Sequence, residues 1–166
     1  MQPLKDLLAK DLTLLFIGYN PSLLSAEAGH HYANPNNRFW KILFQAGITE
    51  RLYSPFEDEK LLEKGIGFTN IVQRPTKAAD EITRKEYHTG SDELRSKISS
   101  CKPKIACFVG KGVYLAYSGK KKAPWGKQEG SVINGVIEFA APSSSGLVRM
   151  KLEDIADIYK KLHQYM

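Results

Sequence analysis

The chain has 166 residues, with 24 Lys+Arg against 18 Asp+Glu and a formal net charge of +6. That length predicts one domain over residues 1–166, able to bury a core without disulfides or a structural metal; the basic balance favours an anionic partner without requiring one. Cys101 and Cys107 match neither a Cys-x-x-Cys redox pair nor a zinc or iron–sulfur ligand set, so they read as reduced core thiols, and no metal or cofactor is expected.

The start, Met1-Gln2-Pro3-Leu4-Lys5-Asp6, lacks the basic, apolar and small-residue succession of a secretory signal. No run approaches the roughly 20 apolar residues of a bilayer span. The expectation is a protein that is not in the membrane and is cytoplasmic, nucleoid-associated, or nuclear in a eukaryote.

In chain order, Leu14 to Tyr19 is a short apolar run of the kind buried on both faces of a sheet, and it gives out into Gly18-Tyr19-Asn20-Pro21-Ser22. Asn36 to Gln45 repeats apolar residues at helical spacing behind Pro35, with Phe39 and Trp40 as core anchors and Arg38 exposed. Gly67 to Val72 and Ile105 to Gly110 are further strands, and Asp92 to Ser100 and Leu152 to Tyr165 further helices. Lys120-Lys121-Lys122 marks an exposed loop. In Ser131 to Ile137, Asn134-Gly135 between apolar runs signals a tight hairpin. Val136 to Ala140 is a last apolar run, leading into Ala141-Pro142-Ser143-Ser144-Ser145-Gly146-Leu147-Val148-Arg149. Strands alternating with helices imply an α/β fold with a mostly parallel, mixed sheet.

Chemistry in such sheets gathers at the carboxyl ends of the strands, which brings the Asn20 loop and the Ser143 loop into one composite site. A carboxamide does not take protons near neutral pH, but it can orient a water. That suits a dissociative reaction such as N-glycosidic cleavage, in which an oxocarbenium-like sugar forms before water has bonded. The alternative is that Asn20 caps the turn beside Pro21. Tyr32, in Gly29-His30-His31-Tyr32-Ala33-Asn34-Pro35, presents an aromatic ring for stacking on a planar base. His30 and His31 fit loop packing or base contact better than proton transfer. Lys111 follows the Ile105 to Gly110 strand, where a lysine meets a phosphate or simply begins a helix in solvent.

The blocks Gly18-Tyr19-Asn20-Pro21, Gly29-His30-His31-Tyr32, Asn37-Arg38-Phe39-Trp40-Lys41, Gly67-Phe68-Thr69-Asn70-Ile71-Val72-Gln73-Arg74, Trp125-Gly126-Lys127-Gln128 and Pro142-Ser143-Ser144-Ser145-Gly146-Leu147 follow one another at compatible spacings. Over nearly its whole length the chain thereby resembles the mismatch-specific uracil/thymine DNA glycosylases, a branch of the uracil-DNA glycosylase superfamily. The resemblance implies a three-layer α/β/α sandwich that acts as a monomer on double-stranded DNA carrying G:U or related mismatches. It makes Asn20 the residue that positions the hydrolytic water, Tyr32 the ring that stacks on the flipped base, and Asn70 a contact to the base edge. Leu147 becomes the wedge left in the duplex, Gly146 the main chain that reads the widowed guanine, and Ser143 and Ser145 the grip on neighbouring phosphates. Arg149 is placed to add a charged contact.

Departures from the family pattern carry expectations too. Tyr19 stands where an aliphatic residue is usual and Ser22 where glycine is, and both narrow the base pocket. Ser25 falls near the C5 substituent and should disfavour a thymine methyl by about tenfold, or roughly 1.4 kcal/mol. Asn20 and Ala141 stand where the fastest relatives carry Asp and His, which implies slow chemistry, and a histidine at position 141 is expected to raise turnover. No lysine is placed for Schiff-base chemistry, so strand cleavage is not expected. A non-catalytic mismatch or abasic-DNA binding module is the alternative: it would keep Leu147 and the serine loop while dispensing with Asn20. A nucleotide hydrolase is disfavoured, because Gly110-Lys111-Gly112 is too short for a phosphate-binding loop.

Overall fold

Five strands, three of them buried along their whole length, order the molecule. The computed structural model describes residues 3–166. Strands β1 (Leu14–Gly18), β2 (Ile66–Asn70), β3 (Ile105–Val109) and β5 (Ile137–Ala141) run parallel, and the two-residue β4 (Gly126–Lys127) runs antiparallel to β5, in the order β2-β1-β3-β5-β4. Because side chains alternate along a strand, Leu14 and Phe16 enter one core while Leu15 and Ile17 enter the other. The first core holds Phe68, Cys107 and Phe139 against helices α2 (Phe39–Gln45) and α6 (Leu152–Lys160). The second holds Ala106, Phe108 and Ala140 against α4 (Arg84–Cys101) and α5 (Lys111–Ser118). Short helices α1 (Leu23–Ala28) and α3 (Asp58–Glu63) complete the set. The result is the expected three-layer mixed α/β sandwich.

Both cysteines are free and buried, and burial pushes the Cys107 thiol well above its ordinary pKa. No helix among the described residues is long and apolar enough to cross a membrane.

Several boundaries move. Helix α2 begins at Phe39 rather than Asn36, because Asn34 and Asn37 hold the approach in turns: Asn37 N–H donates to Asn34 O at 2.9 Å and Phe39 N–H to Asn37 Oδ1 at 3.0 Å. Helix α4 starts well before Asp92, where the Thr83 hydroxyl accepts from Glu86 N–H in a capping box. The Asn134-Gly135 tight hairpin is not formed. The antiparallel partner of β5 is Gly126–Lys127, and Asn134-Gly135 instead turns the chain just before β5. Buried Glu138 explains the wider loop: its carboxylate accepts from Val132 N–H at 2.7 Å and from the Tyr114 hydroxyl at 3.1 Å, so residues 128–136 wrap around it.

The N-terminal segment lies along β2. Leu7 exchanges two hydrogen bonds of 2.9 Å with Phe68, and Asp6 pairs with Lys97 at 2.7 Å and with the Thr69 hydroxyl at 2.8 Å.

Candidate active site

The chain steps from β1 to β2 on one side and then returns to place β3 on the other, so the strand order reverses beside β1. Crevices open at the carboxyl edge of such a reversal. There the ends of β1, β2 and β5 deliver Asn20, Asn70 and the Ser143 loop, and a cleft of about 750 Å³ opens between them. It is lined by Tyr19, Asn20, Ser25, Tyr32, Asn70, Ser143, Ser145, Gly146 and Leu147, which unites nine of the residues singled out from the sequence.

Asn20 is oriented without ambiguity. Its Nδ2 donates to Arg74 O at 2.8 Å and to Thr76 Oγ1 at 2.7 Å. A backbone carbonyl only accepts, and the Thr76 hydroxyl spends its own hydrogen on Ala78 O at 2.7 Å, so both partners require the nitrogen side of the amide. Both amide hydrogens are committed, and Oδ1 remains as an acceptor for the hydrogen of a water. Thr76 is buried, and its N–H returns to Pro21 O at 3.2 Å. The Arg74 side chain anchors this loop to α4 through Glu86, at 2.8 and 2.9 Å, and to Glu81 O at 3.0 Å. The charged pair holds the Glu86 carboxyl low, at about 2. Sequence reasoning missed both Thr76 and Arg74 as supports of Asn20, since neither lies near it in the chain.

Tyr32 sits in the left-handed region, with φ of 53°, a conformation that costs a bulky residue on the order of 1 kcal/mol. Its ring stacks on Phe39, with centroids 3.9 Å apart and planes 10° from parallel. Burial pushes its phenol well above the ordinary range, and the hydroxyl has no hydrogen-bond partner among the described residues. Asp58, itself buried, pins the loop from below by accepting from His31 N–H at 2.9 Å and contacting His30 Nδ1 at 2.9 Å. His31 donates from Nε2 to Lys5 O, the only role that carbonyl allows, and burial lowers its pKa. Both imidazoles therefore serve loop packing.

Asn70 is only 7% exposed, yet its side-chain amide makes no hydrogen bond to the protein among the described residues. A free carboxamide at a cleft wall offers a donor and an acceptor to one edge of a planar ring. Gly18 is what lets it approach: a Cβ there would fall 2.6 Å from Asn70 Oδ1 and 3.0 Å from the Tyr32 hydroxyl oxygen. Ser25 is a fixed wall, its Oγ accepting from Ala33 N–H at 2.9 Å and from the Ser22 hydroxyl at 3.0 Å. Tyr19 borders the cleft, but its hydroxyl accepts from Gly112 N–H at 3.1 Å and its ring packs where any Cβ at Gly110 or Gly112 would collide. That contact ties the β1 loop to the start of α5.

In the Ser143 loop, Ser143 Oγ accepts from Ser145 N–H at 3.3 Å and Ser145 Oγ from Leu147 N–H at 3.2 Å, which leaves both hydroxyl hydrogens to donate. Leu147 is 90% exposed, the most exposed large apolar side chain described. Gly146 passes so close to the preceding loop that a Cβ would lie 2.5 Å from Asn36 O. Arg38 is not the exposed residue its helical position implies. It is half-buried, and its guanidinium reaches across to three carbonyls of this loop.

Three other expectations shift. Lys111 lies outside the cleft, with its ammonium 4.0 Å above the Trp125 ring; Lys77, which sequence reasoning passed over, is the lysine that lines it. Arg149 is exposed and stands outside the cleft lining. Ala141 is fully buried in the core with Phe39 and Tyr159, so a histidine at 141 would be driven into that core rather than toward the cleft. Ser143, two residues on, faces the cleft instead.

The molecule is thus a three-layer α/β sandwich with an amide-lined cleft at its strand reversal and an exposed apolar tip beside it. Residues 5–165 match the model of the Uracil DNA glycosylase superfamily, and the chain belongs to that superfamily. Its fold is also similar to the solution NMR structure of "a putative Uracil DNA glycosylase from Methanosarcina acetivorans", with a TM-score of 0.59 and 20% sequence identity over 98% of each chain.

Proposed function

We propose that the protein is a monofunctional DNA glycosylase that takes uracil out of G:U mismatches and, less readily, thymine out of G:T mismatches. The observation that carries this reading is Asn20, held by Arg74 O and Thr76 Oγ1 with its oxygen free beside an amide-lined cleft. A uracil extruded from the duplex stacks on Tyr32, and Asn70 meets its edge. The C1′–N1 bond breaks with its electron pair leaving on the base. A water whose hydrogen is held by Asn20 Oδ1 then bonds to C1′, releasing a proton to solvent. The products are free uracil and an abasic site in an intact strand. One chain supplies every group named, so the working unit is a monomer.

The test is release of uracil from a labelled G:U duplex by the native protein at moderate salt. Binding without release would favour a mismatch-binding module instead. On matched duplexes G:U is expected to react about tenfold faster than G:T, because the Ser25 wall crowds a C5 methyl; equal rates would remove that role from Ser25.

The pH dependence follows from the lining. Burial lowers the His31 pKa, so its imidazole is neutral throughout the range above its ordinary value and for some way below it, and burial pushes the Tyr19 and Tyr32 phenols up. Water positioning by a carboxamide has no titration of its own. Single-turnover release is therefore expected to be flat from about pH 7 to pH 9. A bell-shaped profile in that window would mean that an ionising group takes part.

A further inference from the structure

Arg38 sits at the start of α2, six positions after Tyr32, and its guanidinium leaves its own element altogether. Nη1 donates to Met150 O at 2.9 Å, and Nη2 to Ser145 O at 3.2 Å and Val148 O at 3.1 Å. The Arg38 backbone N–H adds a fourth bond, to Ser144 O at 2.9 Å. These carbonyls bracket Leu147 on both sides. Val148 and Met150 have core contacts of their own, but the Ser145–Leu147 tip has none, and Leu147 stands in solvent. Beyond the bonds within the loop and the close pass of Gly146 against Asn36, the tip is tied to the body by hydrogen bonds to a residue whose helix is anchored by buried Phe39, Trp40, Ile42 and Leu43.

We propose that Arg38 is the positioning residue of the wedge: it presets Leu147 at the height and angle needed to enter the duplex, and it joins the wedge to the Tyr32 base platform as one rigid unit. The proposal rests on the glycosylase reading for what the wedge does, though not for what holds it. A preset wedge matters because ordering a loop during binding costs free energy that would otherwise go into extruding the base. Only a planar fork serves here. One ammonium on a lysine stem does not reach carbonyls spread over residues 145, 148 and 150.

The experiment uses the full chain with Arg38→Met, which keeps the stem without the donors, and Arg38→Lys, which keeps the charge. Hydrogen exchange of the free protein reads the hold directly: amides of residues 143–150 are expected to exchange at least about tenfold faster in both variants, with the β1 and β3 amides unchanged. Unchanged exchange in 143–150 would overturn the proposal. So would acceleration spread over every strand, which marks a merely structural arginine; the lysine variant decides if Arg38→Met does not fold.

A double-mutant cycle with Leu147→Ala on the G:U duplex reads the consequence. If Arg38 acts through Leu147, Arg38→Met slows release about as much as Leu147→Ala, and the double variant is no slower than the worse single one within about threefold. Losses that multiply would overturn it. Should the native protein release no uracil, the glycosylase reading fails, and the exchange result alone still decides whether Arg38 holds the loop.

Discussion

Asn20→Ala is expected to lower single-turnover uracil release by about 10²- to 10³-fold, or roughly 3–4 kcal/mol, while leaving affinity for the G:U duplex nearly intact. The expectation follows from how the amide is spent. With both hydrogens given to Arg74 O and Thr76 Oγ1, Asn20 has no donor left for the carbonyl oxygens of the base, and its remaining oxygen is the group that serves the incoming water. Its loss should therefore appear in the chemical step and not in binding. Thermal stability should shift by no more than about 1–2 kcal/mol, since two hydrogen bonds near the surface are lost. Asn20→Asp is not a mild control here: a carboxylate has no hydrogen for either partner, so the side chain must turn away from the Arg74 carbonyl. Release by Asn20→Ala within threefold of native would remove Asn20 from the mechanism.

Leu147→Ala is expected to cost about 10- to 100-fold on the duplex, and to cost it in a different quantity. Unstacking a base takes a few kcal/mol, and the apolar wedge recovers part of that by filling the gap. Leu147 is 90% exposed in the free protein, so its truncation removes almost no core packing and stability should be unchanged. The loss should instead follow the stability of the pair being opened: smaller for a G:U mismatch than for an A:U pair, and smallest where uracil is already unpaired. Equal losses on paired and unpaired uracil would mean that the side chain has some role other than holding the duplex open.

Much of this was legible in the chain because the relevant signals are local. Four apolar runs mark the four parallel strands, and whatever follows such a run in an α/β sheet arrives at the carboxyl edge, which places the Asn20 loop and the Ser143 loop together, whereas Asn70, inside its run, is indicated by the resemblance alone. What stayed hidden depends on contacts between distant segments. Arg38 occupies a helical position that reads as solvent-facing, and nothing in Asn37-Arg38-Phe39 indicates that the guanidinium crosses to residues 145–150. Thr76 and Arg74 support Asn20 from the loop after β2, far along the chain. Lysines are hard to assign for a related reason: their stems are long, so chain position after a strand favoured Lys111, whereas the fold turned Lys111 onto Trp125 and brought Lys77 to the cleft. Asn134-Gly135 misled because its turn chemistry is real but serves the wrap around buried Glu138 rather than a two-residue hairpin.

The margins of the sheet bear on how the protein behaves in a crowd. At one margin the N-terminal segment lies against β2 through Leu7 and Phe68, and at the other the outermost strand is only two residues long. Covered or very short margins leave little backbone for another chain to extend. Molecules accumulating along one stretch of nucleic acid thus lack a long open ladder on which to pair with each other, and crowding on the polymer need not become aggregation.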